Sequence, residues 1–435
     1  MRTRSMLLAA ALSAFLVLGA APAMAAPTTD RASLSSANVQ GNSNSFQNAI
    51  STNGRTVAFE SAASNLIASD ANGVQDIFVR NRLSGKTTRA SVRSNGGEAN
   101  ASSFNPQISD SGRFVAFSST ATNLIGLDGN GASDVFVRDR DKKKTTRVST
   151  RSNGGEANGS SSVQGISGDG RYVLFHSNAS NLVPGDSNGT TDVFVKDRKT
   201  GKTTRVSKRT NGSQGNGTSD LSAISPSGRY VAFVSAATNL VPNDSNGNLD
   251  VFVHDRQNKK TVRTSVANNG AQGNSTSYWP AMANNGSVAF PSLATNLVPN
   301  DANANWDVFV HNINTDKTRR VSVSSAGAEG NGNSGLLFGP PKISANGERI
   351  AFDSAATTLF AGDSNGVIDV FLHDRANQTT RRVSVRFDGA QSNGQALMGD
   401  IASSGKFVSF FSIASNLVGG DSNGFYDVFV RGPIN

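Results

Sequence analysis

An acidic loop that leads into a short apolar strand occurs seven times in this chain. One copy reads DSNGTTDVFVKDR, from Asp186 to Arg198. Units of this kind cannot bury a hydrophobic face alone, so self-similarity at a fixed period predicts a repeat architecture in which neighbouring units share a core. The first aspartates of the seven copies follow one another at intervals of 57 to 62 residues: Asp70, Asp128, Asp186, Asp244, Asp301, Asp363 and Asp421.

Each repeat contains four short segments with the composition of β-strands. In the second repeat these are FNPQIS, RFVAFSS, DVFVRD and TTRVSTR, separated by DSG, by a long polar loop and by RDKKK. Alternating apolar residues bounded by Gly, Asn, Asp and Ser are typical of strands joined by turns. Four strands use ~24 residues at typical strand length, which leaves enough chain for two tight turns and two longer loops. The sequence therefore predicts an all-β protein built from four-stranded units.

Phenylalanine marks the predicted core. Fourteen of the 24 phenylalanines fall in two repeat positions, one on each central strand. An aromatic side chain in every unit suits the core between packed sheets, whereas a cofactor pocket would not need seven copies. The first column is Phe59, Phe117, Phe175, Phe233, Phe290, Phe352 and Phe410, and the second is Phe78, Phe136, Phe194, Phe252, Phe309, Phe371 and Phe429.

The two ends of the chain distinguish a closed ring from an open solenoid. The last repeat stops at DVFVRGPIN without a fourth strand, and RASLSS, residues 31–36, precedes the first repeat and is similar to a fourth strand. Pairing the two would close the ring and remove exposed sheet edges, while a solenoid would need atypical capping repeats. We therefore predict a seven-bladed β-propeller over residues 26–435, with strand 31–36 completing the last blade.

Residues 1–25 have the three parts of a secretory signal peptide. Basic residues stand near the start, an apolar run extends from Met6 to Gly19, and Ala23-Met24-Ala25 forms a cleavage site. We expect a secreted or periplasmic protein with no membrane span after cleavage. The chain contains no cysteine, which excludes disulfides and thiol chemistry, so the mature ~410 residues depend on their core for stability.

Charge and loop order predict two unlike faces. Lys and Arg exceed Asp and Glu by 9, of which the signal peptide contributes two. The acidic loops and the NGGEAN-type loops fall on one face, the polar-loop face. The turns DRDKKKTTR, DRKTGKTTR and DRQNKKTVR fall on the opposite, basic face. Charge would allow the basic face to hold an anionic polymer, and a solvated turn surface is the simpler interpretation.

The repeat resembles the TolB-like (WD-like) β-propeller family. The similarity lies in ISPSGRYVAFVS, from Ile224 to Ser235, followed by DVFVHDR and KKTVRTSV, and it extends over all seven units. The resemblance implies a propeller fold. Related propellers serve as binding scaffolds, as non-catalytic domains of peptidases and as oligogalacturonate lyases.

The acidic loops allow two interpretations. Side-chain oxygens at the first, third and seventh positions are arranged as in a calcium-binding loop. Calcium binds 6–8 oxygen ligands, however, and this loop supplies about four to six. The same residues suit a structural turn, because Asn-Gly favours positive φ and Asp and Asn side chains cap backbone N–H groups. The candidate ligands are Asp70, Asn72, Asp76, Asp128, Asn130, Asp134, Asp186, Asn188, Asp192, Asp244, Asn246, Asp250, Asp301, Asn303, Asp307, Asp363, Asn365, Asp369, Asp421, Asn423 and Asp427.

The fifth repeat departs from the others. It holds both tryptophans, and the loop that follows it is four residues longer and contains GLLFGPP. Aromatic faces beside Asp and Asn suit sugar binding, and local packing between irregular blades is the alternative. The candidate ligand-binding residues are Tyr278, Trp279, Trp306 and Phe338.

Two functional hypotheses remain. The first is a secreted, non-catalytic scaffold, monomeric, that binds an extracellular or envelope protein or glycan through the polar-loop face; nothing favours a nucleic-acid partner. The second is a polysaccharide lyase or hydrolase that uses Asp301 or Asp307. We interpret three histidines as a basic strand position rather than a metal site, because other repeats have Arg or Lys there: His254, His311 and His373 align with Arg80, Arg138, Lys196 and Arg431.

Overall fold

A computed structural model describes residues 27–126, 128–335 and 339–434. The predicted signal peptide, residues 1–25, and Phe338 lie outside these ranges. Within these ranges the chain forms 28 β-strands and no helix. The described residues therefore contain no helix long and apolar enough to cross a membrane.

The strands are short, and most span six residues. In chain order they are β1 (Thr28–Arg31), β2 (Ser45–Ile50), β3 (Thr56–Ser61), β4 (Asp76–Asn81), β5 (Lys86–Arg89), β6 (Ser103–Ile108), β7 (Phe114–Ser119), β8 (Asp134–Asp139), β9 (Lys144–Arg147), β10 (Ser161–Ile166), β11 (Tyr172–Ser177), β12 (Asp192–Asp197), β13 (Thr203–Arg205) and β14 (Ser219–Ile224). They continue as β15 (Tyr230–Ser235), β16 (Asp250–Asp255), β17 (Lys260–Arg263), β18 (Ala281–Met282), β19 (Ser287–Ser292), β20 (Asp307–Asn312), β21 (Lys317–Arg320), β22 (Lys342–Ile343), β23 (Arg349–Ser354), β24 (Asp369–Asp374), β25 (Thr379–Arg382), β26 (Ala396–Ile401), β27 (Val408–Ser412) and β28 (Asp427–Gly432).

These strands form seven antiparallel four-stranded sheets, which are the blades of a seven-bladed β-propeller. Blades one to six are β2–β5, β6–β9, β10–β13, β14–β17, β18–β21 and β22–β25. Blade seven has the order β1-β28-β27-β26, so the N-terminal strand supplies its outer edge. The predicted fold class and the closure of the ring are both confirmed.

The closing strand lies earlier than predicted. It spans Thr28–Arg31, and only Arg31 belongs to the predicted segment 31–36. In every blade the outer strand ends at an arginine that turns into the loop region. The residues after it enter a hairpin, which Leu34 and Gln40 close in this copy. The predicted segment begins at the arginine that ends the strand, so the strand precedes this arginine instead of following it.

Both phenylalanine columns are buried, as predicted. Phe59 and Phe78 face each other across the central strand pair of blade one, with ring centroids 5.9 Å apart. The equivalent pairs of the other blades lie 5.7 to 6.2 Å apart. Each pair buries a large apolar area at the centre of its sheet, which is the main stabilising contribution available to a chain without disulfides.

The outer edge of each blade is covered by the hairpin of the preceding unit. The backbone N–H of Thr87 donates to the Ser36 hydroxyl at 2.9 Å, and that of Thr145 donates to Ser94 at 3.1 Å. The same contact to a hydroxyl recurs at Thr203, Thr261 and Thr380, and the N–H of Thr318 donates instead to Asn268 Oδ1. A covered edge has fewer unpaired N–H groups for another chain to pair with, and the contact joins neighbouring blades.

Candidate functional site

In every blade the first- and seventh-position aspartates of the acidic loop come together in a group that we call the acidic corner. An arginine lies at each of these corners. It is the last residue of the outer strand, and its Nη1 lies 2.8 to 3.4 Å from the seventh-position Asp and 3.0 to 3.6 Å from the first-position Asp. The seventh-position carboxylates are fully buried. The seven arginines are Arg31, Arg89, Arg147, Arg205, Arg263, Arg320 and Arg382.

The other corner residues are occupied by hydrogen bonds. In blade one the Ser91 hydroxyl donates to Asp76 at 2.5 Å, and the Asn72 amide donates to the same carboxylate at 3.1 Å. The Asn72 Oδ1 accepts the backbone N–H of Val74 at 3.1 Å, which makes the tight turn that the sequence predicted. The asparagine oxygen is therefore used by the backbone in each copy of the loop.

Calcium ligation competes with this arrangement. The carboxylate oxygens of three corners lie within 4.8 Å of one another, because blades one, two and five add Glu98, Glu156 and Glu329. The guanidinium nitrogen lies among those oxygens and supplies the positive charge that an ion would bring. The geometry therefore favours the turn interpretation over the calcium interpretation, which stays a prediction open to titration.

Blade five has the most perturbed corner. Burial, together with the neighbouring carboxylates Asp307 and Glu329, raises the pKa of Asp301 to about 6. Asp301 nevertheless keeps its contact with Arg320, at 3.3 Å. The corner resembles the other six in geometry, and burial also raises the pKa of the first-position carboxyl in five of them: Asp70, Asp128, Asp244, Asp363 and Asp421.

The three aligned histidines lie in three separate blades. Each one contacts a threonine of the adjacent strand in its own blade. The Nδ1 of His254 lies 2.9 Å from the hydroxyl of Thr261 on the adjacent outer strand, and His311 and His373 make the same contact with Thr318 and Thr380. All three are buried. The prediction of a repeated strand position agrees with this placement.

The inner strands surround a central channel with a cavity of about 380 Å³. A β-bulge interrupts the inner strand of blades one to four and of blade seven. Blades five and six keep only two inner-strand residues each, β18 and β22. These irregularities turn side chains of the inner strands toward the channel instead of along the sheet.

Hydrogen bonds between turns narrow the channel at the basic face. The backbone N–H of Asp110 donates to the carbonyl of Gly168, and Gly168 N–H donates to Pro226, each at 2.9 Å or less. The Ser403 hydroxyl donates to the Asp110 carboxylate at 2.6 Å. This bond links blade seven directly to blade two, on the channel side of blade one. These bonds tie the turns of neighbouring blades together at the basic-face end of the channel.

The channel wall differs from blade to blade. Amide side chains of blades one to three lie on one part of the wall, namely Gln47, Asn105, Gln107 and Gln164. Lys342 and Asp400 lie on another part, in blades six and seven. Burial raises the pKa of the Asp400 carboxyl, and the charge of Lys342 opposes that shift. The wall is polar and carries donors, acceptors and charges of both signs.

The predicted aromatic residues occupy two positions. The rings of Tyr278 and Trp306 are in edge contact, with centroids 5.8 Å apart. Trp279 lines the channel and has a φ of 33°, close to the left-handed backbone of Asn105 and Leu221 at equivalent positions. That backbone costs of order 1–3 kcal/mol for a side chain other than glycine, and such strain clusters at functional sites. Whether these residues bind a ligand stays a prediction.

The sequence reasoning missed the channel amides and the Lys342–Asp400 pair. Gln107, Lys342 and Asp400 share the fifth inner-strand position, which reads Ala49, Gln107, Gly165, Ala223, Ala281, Lys342 and Asp400 around the ring, whereas Gln47, Asn105 and Gln164 stand at the third and fourth positions. The residue type at the fifth position varies among the blades, whereas the corner residues are the same in every blade. The corner arginines were missed as well, although an arginine ends the outer strand in every unit.

Comparisons with known proteins support the fold alone. The C2 domain model matches residues 228–278, which belong to blade four and the start of blade five and form no separate unit. No curated protein matches the sequence. The β-propeller domain of the Trilobed protease from Pyrococcus furiosus is 10% identical, covers 89% of this chain and 93% of that one, and has a TM-score of 0.52.

Two further solved structures are similar to this chain to different degrees. An oligogalacturonate lyase in complex with manganese is 12% identical, covers 94% of this chain and 91% of that one, and has a TM-score of 0.50. A TolB from Agrobacterium tumefaciens is 14% identical, covers 64% of this chain and 80% of that one, and has a TM-score of 0.40. At 12% identity or less, the protease propeller and the lyase show the fold alone, and a fold does not determine a function.

Proposed function

We propose that this protein is a secreted, non-catalytic propeller scaffold that binds an extracellular or envelope partner through its polar-loop face, with a glycan of that partner entering the channel. One observation carries the proposal. The acidic corners repeat in all seven blades and are closed by their own arginines, whereas the channel wall has a different residue set in each blade.

The chemistry of the channel suits sugars. Amide groups such as Gln47 and Gln164 donate and accept hydrogen bonds, which matches the hydroxyl groups of a carbohydrate. Trp279 offers an aromatic face at the same wall. A cavity of about 380 Å³ accommodates a short glycan segment and leaves the rest of a polymer on the polar-loop face.

A glycan array followed by calorimetry with a bound oligosaccharide tests the proposal. We expect Trp279→Ala to weaken binding at least ~10-fold, which corresponds to ~1.4 kcal/mol. Phe425→Ala is the matched control, because Phe425 is an exposed aromatic residue on the acidic loop of blade seven. Equal losses in both variants, or binding of a protein that carries no glycan, would contradict the channel assignment.

A carbohydrate-active enzyme is the second candidate, and the pKa of about 6 for Asp301 favours it. A carboxyl group that titrates near neutral pH suits general acid–base catalysis. Release of shorter products from the bound polysaccharide, abolished by Asp301→Asn and retained by Asp244→Asn at the equivalent corner of blade four, would establish turnover. Binding without product release supports the scaffold.

A further inference from the structure

Lysine is distributed unevenly around the basic face. Three consecutive turns between the third and outer strands, in blades two to four, carry seven exposed lysines, at 142–144, 199, 202, 259 and 260. The equivalent turns of blades one and five carry one lysine each, Lys86 and Lys317, and that of blade six carries none. We call the seven residues the lysine arc.

The arginines in and beside these turns are bound by hydrogen bonds within the fold, whereas the arc lysines are not held by carboxylates. Arg171 forms two hydrogen bonds with Asp197, at 2.9 and 2.7 Å, and Arg198 donates to the carbonyl of Gly170 at 2.5 Å. Blades two and four repeat both contacts. None of the arc lysines forms an ion pair with a carboxylate in residues 27–126, 128–335 or 339–434. Their charges are therefore available to a partner.

We propose that the lysine arc binds a linear polyanion, a carboxylated or phosphorylated glycan chain. Three adjacent turns form a curved track on which successive anionic groups of one chain can meet successive lysines. A flat anionic surface fits less well. It would also meet Asp316, whose side chain is 77% exposed, and the exposed Glu348 on the same face. None of the seven arc lysines lines the channel cavity, so the arc is a separate site.

The turn geometry supplies variants that preserve the fold. Lys143 and Lys259 have φ of 52° and 56°, and blades one and three have Gly85 and Gly201 at this position. Lys143→Gly and Lys259→Gly therefore remove charge and relieve a strained backbone, and Lys199→Gln copies the residue of blade four. The matched control changes three exposed lysines of the same face outside the arc: Lys86→Gln, Lys317→Gln and Lys406→Gln.

Binding to polygalacturonate, polyphosphate, neutral dextran and phosphatidylglycerol vesicles tests the proposal with the mature protein. We expect salt-sensitive binding to one or both polyanions and none to dextran. The arc triple variant should lose about 10-fold in affinity and show a flatter salt dependence, while the control triple loses less than about 2-fold. Trp279→Ala should leave this binding unchanged, which separates it from the channel site.

Three results would overturn the proposal. Equal losses in the arc and control variants would show that net charge acts instead of the arc. Tighter binding to vesicles than to either polymer would identify a membrane surface as the partner. Absence of binding to both polyanions at low ionic strength would leave the lysines as solvated turn residues.

Discussion

The acidic corners and the channel wall follow opposite rules within the same repeat. Each corner has the same Asp, Asn, Ser and Arg in every blade, and these residues bind one another through hydrogen bonds and ion pairs. The channel wall is not uniform around the ring and carries residues as unlike as Gln107, Gly165, Lys342 and Asp400. A residue needed by every blade stabilises the blade, whereas a residue present once can serve a ligand. The comparison separates stability from recognition.

Removing a corner arginine should have the largest effect. Arg89→Gln leaves the buried carboxylate of Asp76 and its neighbour Asp70 without their cation, and breaking a buried pair in this way costs about 3–5 kcal/mol. Urea unfolding of the mature protein measures the change. Lys86→Gln, three residues earlier and exposed, should stay within about 0.5 kcal/mol. Similar values for the two variants would show that the corner is not structural.

Glu60 represents the residues that do not repeat from blade to blade. It is a buried acid, and the other blades have different residue types at its position. Burial raises its pKa from 4.5 to about 7, although the N–H of Asn105 donates to it at 2.9 Å. A raised folded-state pKa means that the stability is present at low pH and is lost as the pH rises through about 7. Glu60→Gln should therefore stabilise the protein by about 2–3 kcal/mol at pH 8.

The pH dependence of that gain distinguishes ionisation from packing. Unfolding of both proteins at pH 8 and at pH 4 should give a clear difference at the higher pH and almost none at the lower. A constant difference at both pH values would mean that the substitution acts through shape. Neutralisation of Glu60 would then have no part in stability.

A smaller effect should follow from the one corner loop that lacks its glycine. Ala304 has a φ of 55°, whereas blade six has Gly366 with a φ of 66° at this position. Ala304→Gly should stabilise the protein by about 1 kcal/mol, and Gly366→Ala should destabilise it by a similar amount. A Cβ at Gly366 would meet no atom within 4 Å. The change in stability therefore measures the cost of the left-handed backbone without a steric contribution. Thermal unfolding of both variants checks the pair, and changes of the same sign would refute this reasoning.

Calcium should have the smallest effect, because the arginines already neutralise the corner carboxylates. We expect the melting temperature to stay constant from chelator to millimolar calcium, with magnesium as the control. An ion bound only by the folded protein would raise stability as its concentration passes its dissociation constant. A rise specific to calcium would restore the metal interpretation, beginning with the three corners that contain glutamate.

The sequence predicted what repeats and missed most of what does not. The phenylalanine columns, exemplified by Phe59 and Phe78, identified the blades because seven copies exceed chance variation. The predicted limits of β1 were wrong by three residues at its start and five at its end, since a four-residue strand is too short for alternation to locate. Gln107 and Asp400 gave no individual signal, because an inner-strand polar residue is visible as a channel residue only once the bulges are known. Trp279 was found because tryptophan is rare in this chain.

The central claim is that the channel wall, and not the acidic corners, binds the partner. The chain has two tryptophans, so the Trp306→Phe protein reports on Trp279 alone. Titrating this protein with the glycan that the array identifies should give a saturable change in emission with the affinity that calorimetry finds. Calorimetric binding without any change in the emission of Trp279, or an array on which no glycan is bound, would contradict the claim.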